Sequence, residues 1–148
     1  GFFTGGGNTF LLVKTLHELG LMNVLKQNVE SGKPYLGCSA GSNIGGINMK
    51  TTNDMPIVYP PSFDCMGLVP FNINPHCLDP NPEIKHNGET RETRIKEFLT
   101  QNDIKVLGLR EGNWIRRIND KITVEGSEFT RIFEKGKEPY EVNPGTEL

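Results

Sequence analysis

A serine, three histidines and a handful of carboxylates are the side chains whose placement could do chemistry. Ser39 stands in Gly37-Cys38-Ser39-Ala40-Gly41, a Gly-x-Ser-x-Gly arrangement. Pro34, Tyr35 and Leu36 before it read as a short strand. The small residues after it, Ser42, Gly45 and Gly46, suit a helix packed closely on a sheet. A strand-to-helix turn of this form is the setting of a nucleophile elbow. So tight a turn tolerates only small flanking residues and pushes the hydroxyl out at the carboxyl edge of the sheet. The start of the next helix favours developing negative charge there. The Ala40 N–H is then a natural oxyanion donor. A glycine-rich packing turn without chemistry would use the same five residues, so the pattern needs partners.

Cys38 competes for the nucleophile's place. The glycines, however, bracket Ser39, and Leu36 and Ala40 do not frame Cys38 in the same way. Cys38 is expected as a buried small residue beneath the elbow. Gly5-Gly6-Gly7-Asn8 is a second glycine-rich turn between a strand and a helix. It lacks the Lys-Ser/Thr pair of a P-loop, and Phe10 breaks the dinucleotide pattern Gly-x-Gly-x-x-Gly. Beside an elbow, a second oxyanion donor near Gly6 or Gly7 is the better reading, with a purely structural turn as the alternative.

A serine nucleophile needs a base, and the base needs an orienting carboxylate. His17 falls inside the first helix and reads as a surface or packing residue. His76, in Asn74-Pro75-His76, and His86, in Lys85-His86-Asn87-Gly88, lie on irregular sequence that could reach the carboxyl edge of a sheet. His76 is the preferred base and His86 the alternative. Glu111 follows a buried strand, where sites form in parallel sheets. Asp54 lies in the polar run Thr51-Thr52-Asn53-Asp54 soon after the elbow. Spacing does not decide between the two acids, and either could be a turn or cap carboxylate.

The elements that must hold these groups alternate strand and helix. Phe2–Thr4 reads as the end of a buried strand. A helix is predicted from Thr9 to about Leu19, with Phe10, Leu12, Val13, Leu16 and Leu19 on one face. A second short helix is predicted from Asn23 to Ser31-Gly32. Residues 51–82 carry little periodicity and many Pro, Asn and Asp, as long functional loops do. Residues 88–99 read as an amphipathic helix with Ile95, Phe98 and Leu99 inward, and 104–109 as a buried strand. Alternation at 114–118, 121–125 and 129–133 predicts a terminal antiparallel set. The expected fold class is α/β: a mostly parallel sheet with helices on both faces. One domain is expected across residues 1–148. The chain starts at Gly1 in a strand-like piece, so upstream residues, including the first strands of the sheet, are expected to be missing.

Bulk properties narrow the function. Of 148 residues, 35% are hydrophobic and 23% charged, with a formal net charge of −2 and both signs interspersed. That disfavours nucleic acid or an anionic membrane as the main partner, because both select basic patches. No apolar run approaches the ~20 residues of a membrane helix. Three cysteines are too few and odd in number for a disulfide framework, which fits a reducing, cytoplasmic setting.

Six blocks resemble the peptidase E, or α-aspartyl dipeptidase, family. They are Phe-Thr-Gly-Gly-Gly-Asn-Thr-Phe at 3–10, Gly-Cys-Ser-Ala-Gly-Ser-Asn at 37–43 and Thr-Thr-Asn-Asp-Met-Pro-Ile-Val at 51–58. Phe-Asn-Ile-Asn-Pro-His at 71–76, His-Asn-Gly-Glu-Thr-Arg-Glu at 86–92 and Gly-Leu-Arg-Glu-Gly-Asn-Trp at 108–114 complete the set. They run in family order, and the tail from about residue 120 matches loosely. The resemblance implies a class I glutamine amidotransferase-like fold and a Ser-His-Glu triad of Ser39, His76 and Glu111. Asp54 falls on an acidic position also assigned to the relay, and so remains an alternative third member. Ala40 and Gly7 are the implied oxyanion donors. Arg91 matches the position that grips the substrate's aspartyl carboxylate, a task a guanidinium performs in a bidentate pair.

The implied activity is hydrolysis of dipeptides with N-terminal aspartate, with no cofactor and no metal. Two departures stand out: family members carry further residues upstream, and Arg110 replaces a proline found in some relatives, with little effect expected. A lipase-like α/β-hydrolase is disfavoured, because no histidine follows His86. A cyanophycinase-like peptidase and an inactive, partner-binding fragment are the remaining alternatives.

Overall fold

The chain opens with β1 (Phe2–Thr4), which runs through the glycine turn into α1 (Thr9–Glu18). The computed structural model describes residues 1–78 and 89–148. It divides into two units, Gly1–Pro75 and His76–Leu148. His86 and the first residue of the helix expected over 88–99 lie outside the described residues.

In the first unit α1 starts where Asn8 caps it, its side chain accepting from the Leu11 N–H at 3.1 Å. Val13 and Leu16 form its buried stripe. Gly20, in the left-handed region at φ 67°, breaks the helix, and α2 (Leu21–Glu30) resumes at once, two residues before the predicted start at Asn23. β2 (Tyr35–Gly37) returns parallel to β1, with Phe2 opposite Tyr35, Phe3 opposite Leu36 and Thr4 opposite Gly37. A parallel pair needs such a helical crossover, and this strand–helix–helix–strand unit carries the α/β character of the fold. The core beneath it is built on Val13, Leu16, Met22, Ile44, Met49 and Met66.

Three expectations are corrected here. β1 is not buried: Phe3 is 69% and Leu36 65% exposed, because these paired residues share the sheet face away from the core. Cys38, two residues beyond Leu36, is exposed as well, so it does not lie beneath the elbow. The helix after the elbow, α3 (Ala40–Asn43), is a single turn. A macrodipole needs more aligned peptides than that, so charge stabilisation there would rest on individual N–H groups.

Residues 51–71 are irregular as expected, but β3 (Asn72–Pro75) was not foreseen. Asn and Pro are depleted in strands. All four residues are nonetheless buried. The Asn72 amide exchanges bonds with Asn48, accepting from its N–H at 3.0 Å and donating to its Oδ1 at 2.9 Å. Asn74 donates to the Thr51 carbonyl at 2.7 Å. Amide side chains substitute here for the apolar alternation that marks most strands.

The second unit contains α4 (Arg91–Gln101), β4 (Val106–Leu109), the hairpin of β5 (Trp114–Ile118) and β6 (Lys121–Glu125), then β7 (Thr130–Phe133) and β8 (Tyr140–Val142). Thr90 caps α4, and Ile95, Leu99, Val106 and Phe133 form the local core. The hairpin forms as predicted, Trp114 facing Glu125 and Ile118 facing Lys121, with Asn119 supplying the positive φ of the turn. β7 does not extend that hairpin. It lies antiparallel between β4 and β8, so the terminal strands fall into two sheets rather than one set.

Candidate active site

The elbow is held by backbone approaches that exclude side chains. A Cβ added to Gly37 would sit 2.4 Å from the Gly41 carbonyl oxygen, and one added to Gly41 would sit 2.1 Å from that of Thr4. No real contact is so short, which is why both brackets of Ser39 are glycine. The Cys38 N–H donates to the Thr4 carbonyl at 2.9 Å and the Gly41 N–H to that of Cys38 at 2.9 Å. The Tyr35 hydroxyl donates to the Gly41 carbonyl at 2.7 Å. Burial raises the Tyr35 phenol, opposed in part by a hydrogen bond with Thr4, so it stays protonated and remains a donor.

This frame forces Ser39 to φ 55°, ψ −112°. Such a conformation costs about 1–3 kcal/mol for a non-glycine residue and persists only where its surroundings fix it. Among the described residues, the non-glycine positions at positive φ are Ser39, His76 and Asn119. Asn119 is an ordinary turn asparagine. The other two are the sequence's candidate nucleophile and base.

The first glycine turn lies against the elbow. A Cβ on Gly6 would be 3.4 Å from Ser39 Cβ and 3.6 Å from its Oγ. Gly6 therefore faces the Ser39 side chain, and Gly7, one of the expected oxyanion donors, follows it in the same turn. Ala40, the other proposed donor, is the buried first residue of α3.

Asp54 is placed at the start of α1, where its carboxylate accepts from the Thr9 N–H at 2.6 Å. Asn8 donates to the Met55 carbonyl at 2.9 Å. The buried Asn43 of α3 donates to Thr9 Oγ1 at 3.0 Å, and Thr52 Oγ1 bonds Thr9 Oγ1 at 3.1 Å. The polar run 51–55 thus ties the glycine turn and α1 to the residues just behind Ser39. Nothing in the sequence singled out Tyr35, Thr9, Asn43 or Thr52 as support, because buried polar ties have no local pattern.

In the second unit His76 Nδ1 bonds Glu111 Oε1. The pairing follows from the backbone: the Cys77 N–H donates to the Leu109 carbonyl at 3.0 Å, which sets the residue before Cys77 beside the turn after β4. A proton held on Nδ1 toward the carboxylate would be the tautomer that makes Nε2 the acceptor nitrogen. Of the two acids the sequence left open, Glu111 is the one brought to His76, while Asp54 bonds the α1 start.

Arg91 is the first residue of α4. The sequence alternative paired it with Glu89 or Glu92. Glu89 lies 3.8 Å from Arg94, and Glu92 bonds Lys96 at 2.9 Å and Arg131 at 3.0 Å. Arg110 carries more than expected: its guanidinium, with the side chain 11% exposed, bonds the Phe129 carbonyl and Glu141. Among the described residues no helix is long and apolar enough to cross a membrane.

The chain is similar to known peptidases. The family model described as peptidase family S51 matches residues 1–125. Peptidase E of Streptomyces coelicolor is 51% identical over 146 residues, covering 99% of this chain. A probable alpha-aspartyl dipeptidase of Drosophila melanogaster is 44% identical over 147 residues, again across 99% of this chain. The chain spans 60% of the length of the first and 61% of the second. A solved structure of a candidate peptidase E from Listeria monocytogenes EGD-e is 23% identical, with a TM-score of 0.49, over 95% of this chain and 57% of that one.

Proposed function

The chain belongs to peptidase family S51, and on that footing we propose that it is a serine-type dipeptidase that releases N-terminal aspartate from Asp-X dipeptides. The observation that carries this reading is the His76–Glu111 pair, which leaves Nε2 as the base for a serine. Its companion is Ser39 at positive φ between two obligatory glycines. The relatives' names supply the substrate class.

In the proposed mechanism His76 Nε2 takes the proton from Ser39 as Oγ attacks the aspartyl carbonyl carbon. The N–H groups of Ala40 and Gly7 hold the resulting oxyanion. The intermediate collapses, the C–N bond breaks and His76 gives its proton to the leaving amine. Water, losing a proton to His76, then attacks the acyl-enzyme and frees aspartate, and the proton returns to Ser39. Glu111 keeps Nδ1–H oriented and supports the imidazolium. Asp54 enters as a structural carboxylate that holds the glycine turn. Arg91 is the proposed grip on the substrate's side-chain carboxylate, because a planar fork of donors matches it in two parallel bonds.

We read the wider fold as class I glutamine amidotransferase-like with a mostly parallel sheet. The β1–β2 parallel pair, with helices between its strands and the elbow at its carboxyl end, supports this reading. The proposed partners are small dipeptides, with neither nucleic acid nor a membrane surface, in keeping with the balanced charge. The cytoplasm is the proposed location, since all three cysteines are free.

The test is amino-acid release from Asp-Leu, Asn-Leu and Glu-Leu. Cleavage of Asp-Leu alone is expected. Arg91→Met should lower kcat/KM for Asp-Leu about 10- to 100-fold, the worth of a charged hydrogen-bonded contact, and narrow its lead over Asn-Leu. Equal rates on all three dipeptides would contradict the substrate assignment.

A further inference from the structure

We propose that Arg110 and Asn113 are positioning residues for Glu111, and that they act by fastening its turn to residues 126–141, beyond the reach of the family match. The inference rests on the reading of Glu111 as the orienting partner of His76.

Glu111 has no packing of its own to hold it: its side chain is 74% exposed. A carboxylate so placed can orient an imidazole only if the backbone beneath it is immobile. That backbone is the turn after β4, closed by the Asn113 N–H donating to the Arg110 carbonyl at 3.2 Å. Residues on both sides of Glu111 reach the same distant segment. Arg110 puts Nη1 on the Phe129 carbonyl and Nη2 on Glu141 of β8. A guanidinium suits this, since its donors form a rigid fork and its charge is permanent.

Asn113 uses the full capacity of its amide on the same stretch. Its Oδ1 accepts from the N–H groups of Ser127 at 3.2 Å and Glu128 at 2.9 Å. Its Nδ2 donates to the Glu128 carbonyl and to Thr130 Oγ1 at 3.1 Å. Gly126 completes the fit. A Cβ there would lie 2.4 Å from Asn113 Oδ1 and 2.5 Å from the Gly112 carbonyl, so only glycine lets the two segments close. The family match ends at residue 125, yet the Arg110 and Asn113 side-chain bonds to Phe129, Glu141, Ser127, Glu128 and Thr130 all reach residues after it. The segment after residue 125 therefore serves the site by bracing its acid.

The test uses the whole chain and two readouts. The first is the low-field imidazole N–H proton signal of His76 in NMR, assigned by its absence from His76→Gln. The second is the kcat and KM for Asp-Leu. Variants are Asn113→Ala, Glu141→Gln and Arg110→Lys, each checked for cooperative thermal unfolding. Glu141→Gln and Asn113→Ala should broaden or abolish the signal and lower kcat roughly five- to tenfold with KM little changed, as expected for a misplaced catalytic group. Arg110→Lys, which keeps the charge but not the two-armed fork, should retain only part of the signal and rate. In a Glu111→Gln background the same substitutions should change kcat by less than about twofold, because residues acting through one group do not add.

Folded variants with an unchanged signal and kcat would overturn the inference, as would an equal loss in the Glu111→Gln background. Absence of the signal from the unmutated protein would overturn the His76–Glu111 reading and this inference with it. A signal that responds to the variants in a chain without dipeptidase activity would uphold the brace and remove the proposed function.

Discussion

A carboxylate serves catalysis by where its charge is aimed, and the two candidate acids aim differently. Glu111 faces an imidazole nitrogen, and Asp54 faces the first N–H of a helix. Glu111→Gln should therefore lower kcat about 10²- to 10⁴-fold, the scale seen when a triad acid is neutralised. The urea midpoint should barely move, since an exposed pair contributes little stability. Asp54→Asn should do the reverse, costing about 1 kcal/mol as lost caps do, with the smaller effect on rate. Kinetics on Asp-Leu together with urea unfolding of both variants separate the roles. Reversed results would return Asp54 to the relay.

The cysteines differ at the same scale. Burial, and then the Asp64 charge, push the Cys65 thiol up to about 12, while Cys38 is exposed. Because the thiolate is the reactive form, peptide mass mapping at pH 8 should show iodoacetamide on Cys38 first and none on Cys65 in the folded protein. The sequence pointed to Ser39 and His76 as candidates, and to Glu111 or Asp54 as the acid, through short motifs and element ends. It marked Arg110 only as a departure of little effect, and it assigned no supporting role to Tyr35, Asn43 or Asn113. Those four act through ties to residues far along the chain, and no local spacing encodes such ties.

At the scale of the element, the elbow converts close packing into strain. A methyl group on Gly41 would meet the Thr4 carbonyl oxygen at 2.1 Å and its carbon at 2.8 Å, strand backbone that cannot yield as the end of a flexible side chain would. Gly41→Ala should cost about 3 kcal/mol or more, in the range of severe core defects. Ser42→Ala, which removes only a 3.1 Å bond to the Gly37 carbonyl, should cost about 1 kcal/mol. Denaturant unfolding of the two variants checks the ratio. The short β1, α2 and β2 were read in advance to within a residue or two, and so were the strongly periodic α1, α4, β4 and β5–β6 hairpin. β3 could not be read, because two of its four buried residues are asparagines, whose amide N–H groups donate to Asn48 and Thr51. The placement of β7 beside β4 is a long-range pairing, and alternation predicts a strand without naming its partner.

Across the molecule, charge pairs set the response to acid. Glu134 accepts from Lys137 and from Tyr140 and lies near Lys105, and these hold its carboxyl down to about 2 from an ordinary 4.5. A folded pKa below the unfolded one adds stability above pH 4.5 that is lost as pH falls toward 2. Most of the partners are exposed, so solvent screening limits the gain to a fraction of about 1 kcal/mol. Glu134→Gln should thus be slightly less stable than the parent at neutral pH and converge with it near pH 2. Thermal unfolding across that range checks the sign, and a difference that widens on acidification would contradict it.

The α/β class was legible from the alternation of strand and helix. The separate terminal sheets were not, because they depend on which distant segments meet. One comparison tests the central claim most directly: aspartate release from Asp-Leu by the folded chain and by its Ser39→Ala variant. The account predicts steady release by the former and at least about a 10³-fold loss in the latter, as when a nucleophile is removed. Release that survives Ser39→Ala, or none from the folded chain, would contradict it.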